Sequence, residues 1–119
     1  MNDNWNDVCG TDDLIKNSGV CALINGKEVA IFSQLTVAND SLQNSVYASE
    51  NYDPIGRANV LYRGLLGSVA DKTVVASPLY KQRYCLQTGQ CLDDDSVKID
   101  VYPARVVNDR VLIKMDTAQ

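Results

Sequence analysis

The sequence contains no histidine. That absence removes the commonest general base, every Ser–His or Cys–His nucleophile pair and every imidazole metal ligand. No stretch reaches the roughly 18 apolar residues that a membrane-spanning helix needs. The first residues, Met1-Asn2-Asp3-Asn4-Trp5, carry no basic segment followed by an apolar run, so no secretory signal is expected and the cytoplasm is the expected location. An excess of positive charge is missing too. Eleven Lys and Arg against 15 Asp and Glu leave a formal charge of −4, which argues against a general nucleic-acid binder. No Gly-x-Gly-x-x-Gly leads from a strand into a helix, so Gly64 and Gly67 do not form a phosphate-binding loop.

What is present is enough for one folded domain over residues 1–119, with a core expected over about 4–114. Hydrophobic residues make up 45% of the chain, so it can bury a core without staples. The cysteines are Cys9, Cys21, Cys85 and Cys91. Four could make two disulfides, but a cytoplasmic chain keeps its thiols reduced. A zinc site favours two close pairs, whereas here five residues separate Cys85 from Cys91 and eleven separate Cys9 from Cys21. Separate free thiols, buried as small apolar groups, are the better reading.

The chain reads as a series of short strands. Thr11 to Ile15 supports one helical turn, capped by Thr11 or Asp12 and stopped by Asn17-Ser18-Gly19. Val20 to Ile24 and Lys27 to Phe32 flank Asn25-Gly26, the strongest hairpin signal in the sequence. Gln34 to Asn44 shows no clean period and reads as a surface loop with a short helical piece. Val46 to Ala48 is a short strand, and Ile55 to Arg63 is irregular. Leu65 to Ala70 and Thr73 to Ala76 read as a second hairpin about Asp71-Lys72. Tyr80 to Gln87 reads as a strand, with Gln90 to Leu92 pairing back after Thr88-Gly89. Val97 to Val101 alternates, so one of its faces is wet. Val106-Val107 and Val111 to Ile113 flank Asn108-Asp109 in a third hairpin, and Asp116 to Gln119 should fray. Nine or ten short strands and almost no helix predict an all-β antiparallel sandwich or partly open barrel.

Two proline-containing loops organise this pattern: Asn51-Tyr52-Asp53-Pro54 with Ile55-Gly56-Arg57, and Ser77-Pro78-Leu79-Tyr80-Lys81-Gln82-Arg83, which runs on to Thr88-Gly89. The layout resembles a Rieske iron–sulfur domain, whose loops carry Cys-x-His and Cys-Pro-x-His-Gly and hold the cluster by two Cys and two His. On that resemblance Asn51, Asp53, Ser77 and Tyr80 stand at the ligand positions as vestigial substitutes, and all four ligand types are gone. With Gly19-Val20-Cys21-Ala22-Leu23, Val29-Ala30-Ile31-Phe32 and Tyr102-Pro103-Ala104-Arg105-Val106 in order, the chain is similar to the small subunit of bacterial NAD(P)H-dependent nitrite reductase. The resemblance implies a Rieske-like fold with a small loop-built tip and a role as accessory subunit of an assimilatory-type oxidoreductase. That enzyme reduces nitrite to ammonium. FAD, the NAD(P)H site, sirohaem and an iron–sulfur cluster are then expected in the large subunit, with no cofactor, metal or catalytic residue in this chain. The alternatives are a stand-alone Rieske-like protein-binding module or a ferredoxin-like electron carrier, which would need the missing ligands.

Asp53 before Pro54 could be an acid facing a partner, but an Asp in such a loop more often bonds its own backbone and fixes the turn. Ser77 before Pro78 reads the same way, with no base to activate it. Asp93-Asp94-Asp95 lacks the spacing of a calcium loop and reads as a solvated turn. Basic residues gather beside the loops. Arg57 and Arg63 follow the first, and Lys81 and Arg83 follow the second, sharing one face if they lie on a strand. With Tyr52 and Tyr80 they have the composition of an interface core, and equally that of ordinary solvated charge; as an interface, the expected partner is the large subunit, with neither nucleic acid nor membrane involved.

Overall fold

The computed structural model describes residues 5–38 and 40–115. The strands in chain order are β1 (Trp5–Gly10), β2 (Ser18–Ile24), β3 (Lys27–Ala38), β4 (Ser41–Glu50), β5 (Tyr52–Asp53), β6 (Ala58–Asn59), β7 (Leu65–Val69), β8 (Lys72–Ala76), β9 (Arg83–Cys85), β10 (Val101–Tyr102), β11 (Ala104–Val107) and β12 (Arg110–Lys114). Two single turns of 3-10 helix, Thr11–Asp13 and Leu61–Arg63, interrupt them. The expected all-β antiparallel architecture is what the chain adopts.

Layering follows from one stretch of sequence. Val29, Ala30, Ile31 and Phe32 on β3 are each at most 1% exposed. Side chains alternate across a strand, so four consecutive buried residues require cover on both faces. Ala30 and Phe32 pack against Leu61, Val75, Tyr84 and Ile99 on one side. Val29 and Ile31 pack against Val111, Ile113 and Met115 on the other. The sheet β10-β4-β3-β2 is therefore the middle layer, between β1-β12-β11 and β7-β8-β9. A two-strand ribbon, β5-β6, forms the edge of the tip.

Three turns show how local chemistry sets register. Asn25 (φ 52°) and Gly26 (φ 81°) are both left-handed, as a type I′ hairpin between β2 and β3 demands. Asn108 (φ 52°) and Asp109 (φ 63°) repeat this between β11 and β12. The second hairpin turns one residue earlier than expected: Val69 pairs Lys72, so Ala70-Asp71 is the turn and Lys72 already belongs to β8. The helical turn at Thr11 is held by neither Thr11 nor Asp12. Asp13 reaches back instead, accepting from the Gly10 N–H at 3.0 Å.

The larger corrections concern two segments. Where a loop is expected over Gln34 to Asn44, Gln34 to Ala38 and Ser41 to Asn44 are paired strand, part of a register of ten pairs from Val29–Glu50 to Ala38–Ser41. Main-chain pairing carries this ribbon beyond the last core residues, so no apolar alternation marks it. Asn39, the lead-in residues 1–4 and the tail Asp116 to Gln119 lie outside the described residues. The strand expected from Tyr80 is confined to β9, and Tyr80 to Gln82 are turn and loop. Lys81 is left-handed (φ 66°), so it and Arg83 do not share a strand face. Gln90 to Leu92 do pair back: Tyr84 bridges Cys91, and Leu92 N–H donates to Arg83 O at 2.8 Å. Val97 and Ile99 face inward while Lys98 and Asp100 are exposed, although only Val101 and Tyr102 form a strand there. All four cysteines are unpaired, with Cys85 and Cys91 buried.

Candidate functional site: a tip made of two matched turns

Strand β4 ends at Glu50 and β8 at Ala76, and the loops that follow, from Asn51 and from Ser77, meet at one end of the molecule. They share a five-residue pattern: an oxygen-bearing residue, proline, an aliphatic residue, any residue, then a cation. In Asp53-Pro54-Ile55-Gly56-Arg57 the Arg57 N–H closes onto Asp53 O at 2.7 Å. In Ser77-Pro78-Leu79-Tyr80-Lys81 the Lys81 N–H closes onto Ser77 O at 3.1 Å. Each first residue also accepts from the N–H two residues on: Asp53 Oδ1 from Ile55 at 3.0 Å, and Ser77 Oγ from Leu79 at 3.2 Å. Each last residue is left-handed, Arg57 at φ 59° and Lys81 at φ 66°. The turns are two copies of one geometry.

A buried carboxylate ties them together. Asp53 is 0% exposed. Its Oδ2 accepts from the Ser77 hydroxyl, and its Oδ1 accepts from Gln82 Nε2 at 2.7 Å and Tyr84 Oη at 3.0 Å, besides Ile55 N–H. Gly56 N–H donates as well. Burial alone would raise the carboxyl pKa, but bonds from Ser77, Gly56, Tyr84 and Ile55 outweigh it and hold the group below the ordinary Asp range. It is thus an anion at neutral pH, neutralised by five dipoles with no cation against it. Tyr84 is pushed the other way, by its own burial and by the Asp53 charge, so its phenol keeps the proton it donates. Gln82 is fixed in orientation, because turning its amide over would set oxygen against the carboxylate. Its Oε1 is buried and has no partner among the described residues.

Close approach is possible because residue 56 is glycine. A β-carbon there would lie 2.4 Å from Leu79 Cδ1 and 2.8 Å from Asp53 Oδ2. Leu79 rests on the bare Gly56 backbone and remains 45% exposed.

Asn51 forms a second, separate knot. Its Oδ1 accepts from Tyr62 N–H at 2.8 Å, and its Nδ2 donates to Glu28 Oε1 at 3.0 Å and Asn59 O at 3.1 Å. Its main chain bonds Glu28 O and Leu61 N–H. Of the four residues that the resemblance sets at cluster-ligand positions, the structure thus buries Asn51, Asp53 and Ser77 and uses their polar atoms internally. Only Asp53 and Ser77 touch. Tyr80 is 69% exposed and makes no side-chain bond to them. These residues do not fit a [2Fe–2S] cluster. They offer neither thiolate nor imidazole, and the one carboxylate is saturated by donors. Among the described residues no three His, Cys, Asp or Glu converge on a point that could hold an ion.

The six residues suggested for an interface fare differently. Tyr52, Arg57, Tyr80 and Lys81 are exposed. Arg83 is engaged in an ion pair while its side chain stays 43% exposed. Its guanidinium grips Asp93 at 2.8 Å and its backbone N–H donates to the same carboxylate, stapling the turn at Asp93 to Asp95. Arg63 lies over its neighbour Tyr62, 5.4 Å from the ring centre, and bonds its hydroxyl at 2.9 Å. The sequence reading missed Gly56, Leu79, Gln82 and Tyr84. The repeat of Asp-Pro-x-x-Arg as Ser-Pro-x-x-Lys was the available signal for the first two. Beside Asn51 lies a cleft of about 310 Å³ lined by Lys27, Glu28, Glu50, Tyr52, Asp100 and Tyr102 among others. Burial and the nearby Asp100 raise the Glu50 carboxyl, although the Asp100 N–H donates to it at 2.7 Å.

The Rieske-like [2Fe-2S] domain family matches residues 4–114. The nitrite reductase (NADH) small subunit of Salmonella typhimurium is 40% identical over 86% of this chain and 89% of its own length. The nitrite reductase [NAD(P)H] large subunit of Klebsiella oxytoca is 33% identical over 92% of this chain, which corresponds to 11% of that much longer protein. The solution structure of the nitrite reductase [NAD(P)H] small subunit from Erwinia carotovora superposes with a TM-score of 0.75 at 37% identity, covering 98% of this chain and 85% of that one. With two buried knots where that fold family's loops would carry ligands, the family match over residues 4–114 and 40% identity over 86% of the chain to a small subunit of that enzyme, the chain belongs to the Rieske-like domain family and, within it, to the nitrite reductase small subunits.

Proposed function

We propose that the chain is the accessory small subunit of an NAD(P)H-dependent nitrite reductase in the cytoplasm, serving nitrate assimilation. The observation that carries this reading is the 40% identity over nearly the full length of a nitrite reductase small subunit. The large-subunit partner is supported by the Klebsiella oxytoca large subunit, which carries a segment similar to this chain within its own length. In this reading FAD, the nicotinamide site, sirohaem and an iron–sulfur cluster belong to the large subunit. The chemistry of nitrite reduction is theirs, and this chain contributes binding and support.

The chain itself is read as cluster-free. Asp53 and Ser77 spend their oxygens on each other and on Gln82, Tyr84 and the loop backbone, a set that leaves no donor for iron. This favours the accessory role over a ferredoxin-like carrier, which needs a redox centre to carry an electron. The test is reconstitution. Purified chain should be colourless, should contain far less than one iron or zinc per molecule, and should co-elute with the large subunit and raise its nitrite-dependent NAD(P)H oxidation. Stoichiometric iron would restore the electron-carrier reading. Failure to associate at micromolar concentrations would overturn the subunit reading.

A further inference from the structure

The sequence holds five arginines. Arg63 is spent on Tyr62, Arg83 on Asp93, Arg105 on the Trp5 ring at 4.1 Å, and Arg110 on Asp7 at 2.8 Å. Arg57 alone has no ring or carboxylate partner among the described residues. Its counterpart on the matched turn, Lys81, has none either. Both are exposed, and both occupy a left-handed backbone position that crowds a β-carbon and that glycine or asparagine fills with less strain. A long cation at the same strained place in two copies of one turn points to a use for the side chain.

The surroundings make the cations effective. Residues 51–63 and 77–83 carry four cations against Asp53, which is buried and saturated, and Asp93, which pairs Arg83, so two positive charges remain. The tip is therefore locally positive on a chain of formal charge −4. An acidic surface is repelled by most of this molecule and attracted by its tip, which orients the encounter. Beside the cations Leu79 and Tyr80 are 45% and 69% exposed. An apolar anchor flanked by charges is the make-up of an interface centre. The Asp53 clasp holds both turns still, so little ordering remains to be done on binding.

We infer that the large subunit docks on this tip, with Arg57 and Lys81 each meeting a carboxylate of that subunit and Leu79 and Tyr80 packing on an apolar patch beside them. The inference rests on the reading of the chain as a nitrite reductase small subunit, and it narrows the contact to the matched turns, leaving out Arg63 and Arg83.

The experiment measures affinity of the full chain for the purified large subunit at low and at physiological ionic strength. The double reversal Arg57→Glu/Lys81→Glu is expected to bind about tenfold more weakly or worse at low salt, with the difference narrowing as salt rises. A control with the same change of net charge elsewhere, Lys16→Glu/Lys98→Glu, should bind within about twofold of wild type. A third variant, Arg57→Gly/Lys81→Gly, separates docking from folding. Glycine relieves the left-handed strain, so its melting temperature should equal or exceed that of the wild type while its affinity falls. Wild-type binding with unchanged affinity in the tip variants would overturn the docking surface and leave the subunit reading standing. Equal weakening by the control would also overturn it, since net charge alone would then explain the loss. No binding by the wild type would remove the subunit reading and the docking surface together.

Discussion

Replacing Asp53 by asparagine probes the clasp at its centre. The carboxylate accepts from Ser77, Gln82, Tyr84, Ile55 and Gly56. An asparagine oxygen can serve the Oδ1 side only in part, since it accepts about two strong bonds where three donors now converge. Its NH₂ replaces Oδ2 and faces the Ser77 hydroxyl, which can turn to accept. The Gly56 N–H, which also donates to the carboxylate, can only donate. One or two buried donors are thus left unsatisfied at about 1–3 kcal/mol each, while the burial of a full charge is relieved. A net loss of about 3 kcal/mol follows, or about 12 °C in melting temperature for a domain of this size. Ser77→Ala removes the charge-assisted bond to Asp53 and the bond from the Leu79 N–H, and should cost about 2–3 kcal/mol. The two losses should add to more than the double variant loses, since they share one interaction. The pH dependence has a definite sign. Asp53 is held below its ordinary value of 3.8, so its contribution is complete above that pH and is lost as pH falls through the lower folded value. The stability gap between wild type and Asp53→Asn should therefore be constant near neutrality and close in acid. Thermal and urea unfolding across that range, with hydrogen exchange at Ile55 and Gly56, would measure it. A melting temperature within about 3 °C of wild type at pH 7 would refute the clasp.

Two further outcomes are expected. Gly26→Val should lower stability by roughly 1 kcal/mol or more, because a β-branched residue resists the φ of 81° that the β2–β3 turn requires, and an unchanged urea midpoint would contradict that. A non-reducing thiol titration should find four thiols after denaturation and, in the native protein, fast reaction at exposed Cys21 with slow reaction at buried Cys85 and Cys91; fewer than four would mean a disulfide or a bound metal.

How much was legible in the sequence depends on whether its signals were local. Asn25-Gly26 and Asn108-Asp109 state their turn by backbone chemistry, so both hairpins could be placed from sequence alone. The run Val29 to Phe32 could be read as a strand of the first hairpin, but its cover on both faces shows only in the structure. The ribbon from Gln34 to Asn44 was not legible, because its strands are held by pairing that extends past the core and needs no pattern of side chains. At the tip, Asp-Pro and Ser-Pro announced turns with self-bonding side chains, and Asp53 and Ser77 do accept from their own loop backbones. What those residues do to each other was not legible. The Asp53–Gln82 and Asp53–Tyr84 bonds span 29 and 31 residues, and only the fold brings them together.

Those long-range bonds also show how protein groups alone can join the two loops of the tip. A cluster bound by two loops is a cross-link, and the loops need one, because each is a short excursion with few apolar contacts of its own. Here a single carboxylate of the first loop also links the two, reaching three side chains at and beyond the second: Ser77, Gln82 and Tyr84. The first belongs to the second turn, the next follows it, and the last is on β9 in the core. Anchoring the charge to a core tyrosine makes the tip's geometry depend on the packing of the β7-β8-β9 layer. A substitution that loosens Tyr84, such as Tyr84→Phe, should therefore shift the exposed turns as well as lower stability, by removing one donor without opening a large cavity. Matched amide shifts at Arg57 and Lys81, residues that Tyr84 does not itself bond, would reveal that transmission. Shifts confined to the neighbours of residue 84 would mean that each turn is held by its own proline and its own backbone closure.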